Sequence, residues 1–382
     1  MSRARRILHV ASGDLWAGAE AQAFTVLSHL KRLPDTEVAA VLMNGGVLAD
    51  KLRSIGVPVY VFDEQRTVSL ELFRRLRQVL GAWRPDIVHT HRLKENILGS
   101  FANLSCHNMP SVRTVHGAGE HVGAPGFRGV RQRLLTGLDR WCGRSLQRRI
   151  IAVTRELGAQ LSRDFPAEKV VVIENGVDFE ALSQHGGVAE FRSAEPDAIH
   201  IGIAGRLVAV KRLDIFLEVA SLLRQEDSSR KWRFHVFGDG PLRSDLEELA
   251  QGLRLGDNVT FHGHRDDIVT CLGGLDALVM CSDHEGMPMV ALEAAVLGVP
   301  TVAHAVGGLI EVVPGEFQVI RHEAHAYKDG VERALCADGR SIAERHAAVI
   351  RVRFSAQHNA ERVRALYEQI LMERRSERAS DR

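Results

Sequence analysis

At 382 residues the chain is long for one hydrophobic core, so two domains of ordinary size are expected. A formal net charge of +1, from 49 basic and 48 acidic residues, excludes a protein that seeks polyanions over its whole surface. Five scattered cysteines, Cys106, Cys142, Cys271, Cys281 and Cys336, argue against a disulfide framework or a structural zinc site and for a reducing compartment.

The N-terminus MSRARRILHVASGD is basic and then apolar, but its apolar part is only Ile7 to Val10 plus small residues. That is too short for the core of a signal peptide and reads as a first buried strand. No stretch approaches the roughly 18–20 apolar residues that span a bilayer, and the cytoplasm is the expected compartment. Arg6–Ala11 feeds the loop Ser12-Gly13-Asp14-Leu15-Trp16-Ala17-Gly18, and a helix is predicted over about Ala19–Leu33. Further strands are predicted at Val38–Met43, Val57–Phe62, Ile87–His91, Val112–His116, Ile150–Val153 and Val170–Ile173, with helices between. The polar, aperiodic stretch Ser183–Asp197 marks a linker, after which the alternation restarts. Strands are expected at His200–Ala204, Arg233–Phe237, Asn258–Phe261 and Ala277–Cys281, and helices at Lys211–Arg224, Pro241–Leu253 and Pro288–Leu297. Such alternation predicts an α/β chain of two doubly wound domains facing across a cleft, with ligands beyond the carboxyl ends of the strands. Ser355–Met372 reads as a long amphipathic helix whose charged tail, Glu373–Arg382, is expected to fray.

Two features of the first half stand out. His89 and His91 are alternate residues of one strand and face the same side, which invites a metal reading. No third ligand of suitable type is evident nearby, and no metal is expected. Phe127 to Arg149 holds Arg128, Arg131, Arg133, Arg140, Arg144, Arg148 and Arg149 against one acid, Asp139, with Val130, Leu134, Leu135, Leu138, Trp141 and Leu146 interspersed. Two readings stay open. The segment lies on an anionic membrane, each basic residue adding about 1 kcal/mol, or it is an ordinary domain helix with a solvated basic face. Nucleic acid is a poorer partner, because no aromatic stacking platform accompanies the arginines.

The second half is organised around Asp276 to Glu311, read as strand, loop, short helix and strand. Pro288 suits the first helical position, and Gly298 and Pro300 stop the helix near Leu297. Glu285 and Glu293 then flank one helix N-terminus, Glu285 just outside it and Glu293 more than a turn inside. That terminus favours a phosphate by about 0.3–2 kcal/mol. Carboxylates aimed at the same phosphate would repel it, so they would instead take hydroxyls on either side of it. The alternative is that Glu285 caps the helix and Glu293 is solvated. Upstream, Gly205-Arg206-Leu207-Val208-Ala209-Val210-Lys211 follows a strand, and its planar guanidinium and mobile ammonium could clamp a diphosphate. Phe237-Gly238-Asp239-Gly240-Pro241 lines a nucleotide or is simply a tight turn. Phe261-His262-Gly263-His264 ends a strand whose backbone could read a base edge.

Taken together, GRLVAVKRLD, VFGDGPLRSDLEEL, VTFHGHRDDI and EGMPMVALEAAVLGVPTVAHAVGGLIEVV resemble the donor domain of family 4 retaining glycosyltransferases, which have the two-Rossmann GT-B fold. The first half agrees through Ala17-Gly18-Ala19-Glu20, PDIVHTHRLKENILG, SVRTVHG, IIAVTRELGAQL and VVVIENGVD. The terminal FSAQHNAERVRALYEQI resembles the family's last helix, which crosses back onto the first domain. The resemblance implies an acceptor-binding domain over 1–180, a nucleotide-sugar-binding domain over 181–359, and a C-terminal helix, about 360–382, that packs on the first. It makes Glu285 and Glu293 the ends of an E-x7-E motif, Glu285 on the donor sugar's hydroxyls and Glu293 on the ribose. Arg206 and Lys211 would hold the diphosphate, with the amides around the segment Gly286, Met287, Pro288 and Met289 and the loops at Gly18, Gly205, Gly238 and His264 completing the donor site. His116, in Val115-His116-Gly117, matches a histidine near the reacting sugar; its alternative is a strand-end histidine bonded to backbone.

Three departures mark this chain. Ala17-Gly18 stands where a glycine pair is usual, which leaves open which backbone approaches the phosphate. The stretch VVPGEFQVIRHEAHAY lacks the expected glycine-leucine-valine strand, and Glu174 stands where proline is common. The expectation is a retaining transfer of a hexose or N-acetylhexosamine from a UDP- or GDP-type sugar to a glycan or lipid-linked acceptor in cell-envelope or exopolysaccharide synthesis. No cofactor beyond the donor is expected, and the inner membrane face is the expected place if the basic segment binds lipid. A non-catalytic nucleotide-sugar binding protein, or an epimerase or phosphorylase on the same fold, are the alternatives; no pyridoxal-type lysine motif is present for the phosphorylase.

Overall fold

Short apolar runs form thirteen parallel strands in the computed structural model, which describes residues 3–13, 16, 18–117, 127–183 and 188–380. In the first half these are β1 Arg5–Ala11, β2 Thr36–Leu42, β3 Val59–Val61, β4 Ile87–Thr90, β5 Ser111–Val115, β6 Arg149–Ala152 and β7 Val170–Val172. The second half contributes β8 Ile199–Ala204, β9 Trp232–Phe237, β10 Val259–Gly263, β11 Ala277–Met280, β12 Thr301–His304 and β13 Gln318–Val319. Every residue of β4, β5 and β11 is buried, as expected of parallel strands covered by helices on both faces. The sheet orders are β3-β2-β1-β4-β5-β6-β7 and β10-β9-β8-β11-β12-β13. In each sheet the winding reverses once, between β1 and β4 in one and between β8 and β11 in the other. A doubly wound sheet opens a crevice for ligands at that point, beyond the strands' carboxyl ends.

Two compact units result, Met1–Gly176 with Ala356–Arg382, and Val177–Ser355. In the first, the sheet is covered on one face by a cluster containing Leu27, Leu30, Leu52, Val363, Leu366 and Ile370, and on the other by one containing Leu72, Leu76 and Leu80. The C-terminal helix is thus part of that unit's core. It runs as Ala356–Ser380, so the expected fraying is corrected. Glu373 and Glu377 pair with Arg149 and Arg148 at 2.5 and 2.6 Å, which ties down the last turns. In the second unit the stretch after Glu311 supplies an edge strand, β13, that pairs with β12. The expected linker contains a short helix, Glu190–Ala194, and its residues 184–187 lie outside the described residues.

The basic segment also differs from its reading. Its helix is Phe127–Ser145, and Arg149 opens β6, so Arg148 and Arg149 are not on the helix. Asp139 turns inward: its carboxylate meets Arg113 at 2.5 Å and accepts from Asn96 at 2.7 Å, and both members of the ion pair have 0% exposure. That pair anchors the helix to the sheet. Arg140 bonds Asp164 and Arg144 its carbonyl, whereas Leu134, 71% exposed, and Trp141, 46% exposed, face outward. The side chains of Val130, Arg128 and Arg131 lie outside the described residues. No helix among the described residues is long and apolar enough to cross a membrane.

Candidate active site

The carboxyl ends of β8 and β11 carry most of the residues singled out in the second half. After β8 the chain turns through Gly205 at φ +152°, and a short turn, Ala209–Lys211, precedes the helix Leu213–Glu226. Lys211 is therefore a loop residue and not the first of the helix. The loop is stitched by backbone alone: Gly205 N–H donates to Phe237, Leu207 N–H to Asp239 and Gly238 N–H to Gly263, at 2.9, 3.0 and 2.7 Å. Gly238, at φ +123°, fits because a Cβ there would lie 2.0 Å from the Gly205 carbonyl oxygen. These bonds join the loops after β8, β9 and β10, on which Arg206 stands exposed with no side-chain partner among the described residues.

Lys211 reaches across to the loop after β11. Its Nζ lies 2.5 Å from Glu285 Oε1, which also accepts from Ser282 Oγ at 2.7 Å. The Lys211 and Glu285 side chains are 24% and 9% exposed, so the pair is largely shielded but reachable. Glu285 does not cap the helix that follows. That helix is Met289–Val296, with Pro288 at its N-cap and no side-chain cap, so Pro288 precedes the first helical residue. The preceding loop is braced from behind. Gly308 N–H donates to Gly286 at 2.9 Å, and a Cβ on Gly307, at φ +53°, would lie 1.8 Å from the Glu285 carbonyl oxygen. An uncapped helix start, two cations and a glutamate thus share one end of the sheet.

Glu293, a turn into that helix, is half-buried, and its carboxyl has no protein partner among the described residues. Burial pushes it up to about 7. An unpaired, poorly solvated carboxyl is suited to an incoming hydroxyl. His264 stands exposed, 3.5 Å from Asp266. His262 instead closes a ladder with His235 and His200, each link 2.9 Å, and Gly263 spends its carbonyl on Gly238. The latter two serve the fold.

In the first unit, Gly18 opens the helix Gly18–Arg32, exposed, while Asp14, Leu15 and Ala17 lie outside the described residues. The glycine packed on backbone is Gly13, where a Cβ would lie 2.4 Å from the Asn44 carbonyl oxygen. His116, at the end of β5, meets His91 at 3.0 Å, and it lines a small cavity with Ser12, Glu20 and Arg92. Glu20 and Arg92 form an ion pair there. Burial and then the neighbouring His91, Arg92 and Arg113 hold His116 well below the usual histidine range. A third histidine does join His89 and His91, contrary to the reading of their strand alone: His9, with its ring nitrogens within 4.8 Å of theirs. The rings of His89 and His91 are stacked 4.7 Å apart with planes 5° from parallel. Their in-plane lone pairs run side by side and do not converge on one ion, so the group is poorly shaped for a metal.

Two family models divide this chain between them, one described as Glycosyltransferase Family 4 over residues 16–181 and one as Glycosyl transferases group 1 over residues 198–337. The chain belongs to the family 4 glycosyltransferases. Among curated relatives, it is 26% identical over 280 residues to the UDP-Gal:alpha-D-GlcNAc-diphosphoundecaprenol alpha-1,3-galactosyltransferase of Escherichia coli, covering 71% of this chain and 70% of that one. It is 28% identical over 243 residues to the 2-deoxystreptamine N-acetyl-D-glucosaminyltransferase of Streptomyces fradiae, covering 60% and 57%. The Anabaena protein HepE, solved in complex with UDP-glucose, shares the fold at a TM-score of 0.81 and 19% identity, over 95% of this chain and 99% of that one.

Within this family 4 glycosyltransferase the structure brings Gly205, Lys211, Glu285, Gly286 and Met287 to one sheet end, and Gly238 to the loop packed on Gly205. Met289 and Glu293 belong to the helix that leaves that end. His116 and Gly18 sit in the other unit. Sequence reasoning missed Ser282, Gly307 and His9. The signal for His9 was a polar residue inside the apolar run Ile7 to Val10.

Proposed function

We propose that this family 4 glycosyltransferase is a retaining enzyme that moves a hexose or N-acetylhexosamine from a nucleoside diphosphate sugar to a glycan or lipid-linked acceptor in cell-envelope or exopolysaccharide synthesis. The observation that carries it is the Lys211–Glu285 pair beside the exposed Arg206 and the uncapped start of Met289–Val296, all at the β8/β11 switch point. Arg206 and Lys211 draw charge onto the departing diphosphate, aided by the helix terminus. Glu285, already bonded to Lys211, takes a hydroxyl of the sugar, and Glu293 takes the ribose. One oxygen of the leaving diphosphate receives the acceptor's proton on the same face. The UDP-Gal-using relative and the UDP-glucose complex of HepE favour a UDP-sugar as the first donor to test.

Met1–Gly176 with the C-terminal helix is assigned to the acceptor. The outward Leu134 and Trp141 of Phe127–Ser145 suit contact with an anionic membrane that would present a lipid-linked acceptor. Incubation with UDP- and GDP-sugars, with and without lipid-linked acceptors, followed by assay of free nucleotide, tests the reading. Acceptor-dependent release is expected. Binding without release would instead mark a non-catalytic nucleotide-sugar binding protein, and equal partition of wild type and a Leu134→Ser/Trp141→Ser variant onto anionic vesicles would remove the membrane contact.

A further inference from the structure

Six polar groups in the first unit are joined end to end. Thr114 Oγ1 lies 2.7 Å from His89 Nε2, and His89 Nδ1 lies 2.5 Å from the Tyr367 hydroxyl. That hydroxyl is 3.3 Å from His9 Nε2, His9 Nδ1 is 3.0 Å from His91 Nε2, and His91 Nδ1 is 3.0 Å from His116 Nε2. At the far end His116 Nδ1 is buried and has no hydrogen-bond partner among the described residues. Burial is the first cause that holds His9, His89, His91 and His116 below the usual histidine range, so all four rings are neutral near pH 7.

A neutral imidazole has one N–H and one bare nitrogen, so fixing the direction of any link fixes all the others. With the phenol donating one of its two contacts and accepting the other, only two arrangements exist, with the same number of protons in each. Tyr367 distinguishes them. An O–H donor approaches its acceptor to about 2.5–3.0 Å, whereas N–H donors sit at about 2.7–3.2 Å. Of the phenol's two N···O contacts we assign the shorter, 2.5 Å, to the phenol donating to His89 Nδ1, and the longer, 3.3 Å, to His9 Nε2–H donating to the phenol oxygen. His9 Nδ1 must then accept from His91 Nε2–H, and His91 Nδ1 must accept from His116 Nε2–H. Nδ1 of His116 is left bare.

We infer that Tyr367, His9 and His91 are positioning residues that lock His116 in the tautomer with a bare Nδ1, which accepts a hydrogen bond from a hydroxyl of the sugar or acceptor. The inference rests on the proposed transferase reading of His116. It gives the C-terminal helix a second duty, since the element that completes the first unit's core also sets the polarity of its cavity.

The test is a long-range 1H–15N correlation spectrum of the 15N-histidine-labelled full chain at pH 7.5, with His116 assigned through His116→Gln. Wild type should show His116 protonated on Nε2. Tyr367→Phe removes the donor to His89 and the acceptor of His9, so His116 should become a mixture of tautomers. The specificity constant kcat/KM should fall about two- to tenfold, in step with the competent fraction. A wild-type His116 protonated on Nδ1 would overturn the inference without recourse to any variant, as would an unchanged His116 tautomer in folded Tyr367→Phe. A fully active His116→Gln enzyme would overturn the role toward the hydroxyl whatever the tautomer, and nucleotide release in the wild type is scored separately from both.

Discussion

Replacing Glu293 by Gln keeps the side chain's size and removes only its ionisation, which isolates what burial does to that carboxyl. In the folded protein its pKa is raised from 4.5 to about 7. The native state therefore holds the proton more tightly than the unfolded chain, and wild type loses stability as pH rises from about 4.5 through about 7. At 1.36 kcal/mol per unit the full loss is about 3 kcal/mol, an upper bound because the group is only half-buried. For a unit of this size that corresponds to about 6–12 °C in Tm. The Gln variant carries no such penalty, so its Tm should match wild type near pH 5 and exceed it by several degrees at pH 8. A ligand hydroxyl that donates to the carboxylate favours the ionised form, so wild-type affinity for UDP should rise as pH passes through 7, and the variant's should be weaker and flat. Melting curves at four pH values and calorimetric titration with UDP read both arms. Parallel Tm profiles would refute the burial argument. Equal UDP affinity in the two proteins would refute the ribose role even if the stability arm held.

Arg206→Ala and Lys211→Ala should each lower turnover about 10²- to 10³-fold in a nucleotide-release assay, the range for loss of one donor to a developing charge; unchanged rates in both would sink the diphosphate assignment. Gly307→Ala places a Cβ 1.8 Å from the Glu285 carbonyl oxygen, so the loop must move. Donor Kd should rise at least about tenfold, one 1.4 kcal/mol step, and an unaltered Kd would show that the brace is dispensable. Asp139→Ala removes the carboxylate of a buried ion pair whose two members, Arg113 and Asp139, have 0% exposure. Urea unfolding should register a loss of about 3–5 kcal/mol, and a loss near zero would mean the charge finds other compensation.

All the strands but the two-residue edge strand Gln318–Val319 were legible as short apolar runs, because parallel strands buried on both faces need little else. Loop motifs were legible where chemistry is local: Gly205, Arg206 and Lys211 fall in seven residues, and Glu285 to Glu293 in nine. Hidden from the sequence were the facts that depend on which strands are neighbours. β1 and β4 are separated by two other strands in the chain yet pair in the sheet, which sets His9 opposite His89. Without that register His89 and His91 look like a pair with no third partner. Asp139 looked like a lone acid on a basic helix because its Arg113 lies on another element, and Glu373–Arg382 looked free because Arg148 and Arg149 lie more than two hundred residues away.

The same logic explains why two similar sheet ends carry different chemistry. At β8 and β11 the chain supplies exposed or half-exposed cations and an uncapped helix, a set that lowers the energy of negative charge arriving from outside. At β1, β4 and β5 the rings of His9, His89, His91 and His116 are joined in series with Tyr367, beside the Glu20–Arg92 pair, and His116 Nδ1 is left without a hydrogen-bond partner among the described residues. On the proposed reading the first arrangement stabilises a leaving diphosphate. The second can receive a neutral hydroxyl without paying for a buried charge. The two sheet ends thus differ in the charges and polar groups left unsatisfied by the fold, and that difference is fixed by a few side chains at the two switch points.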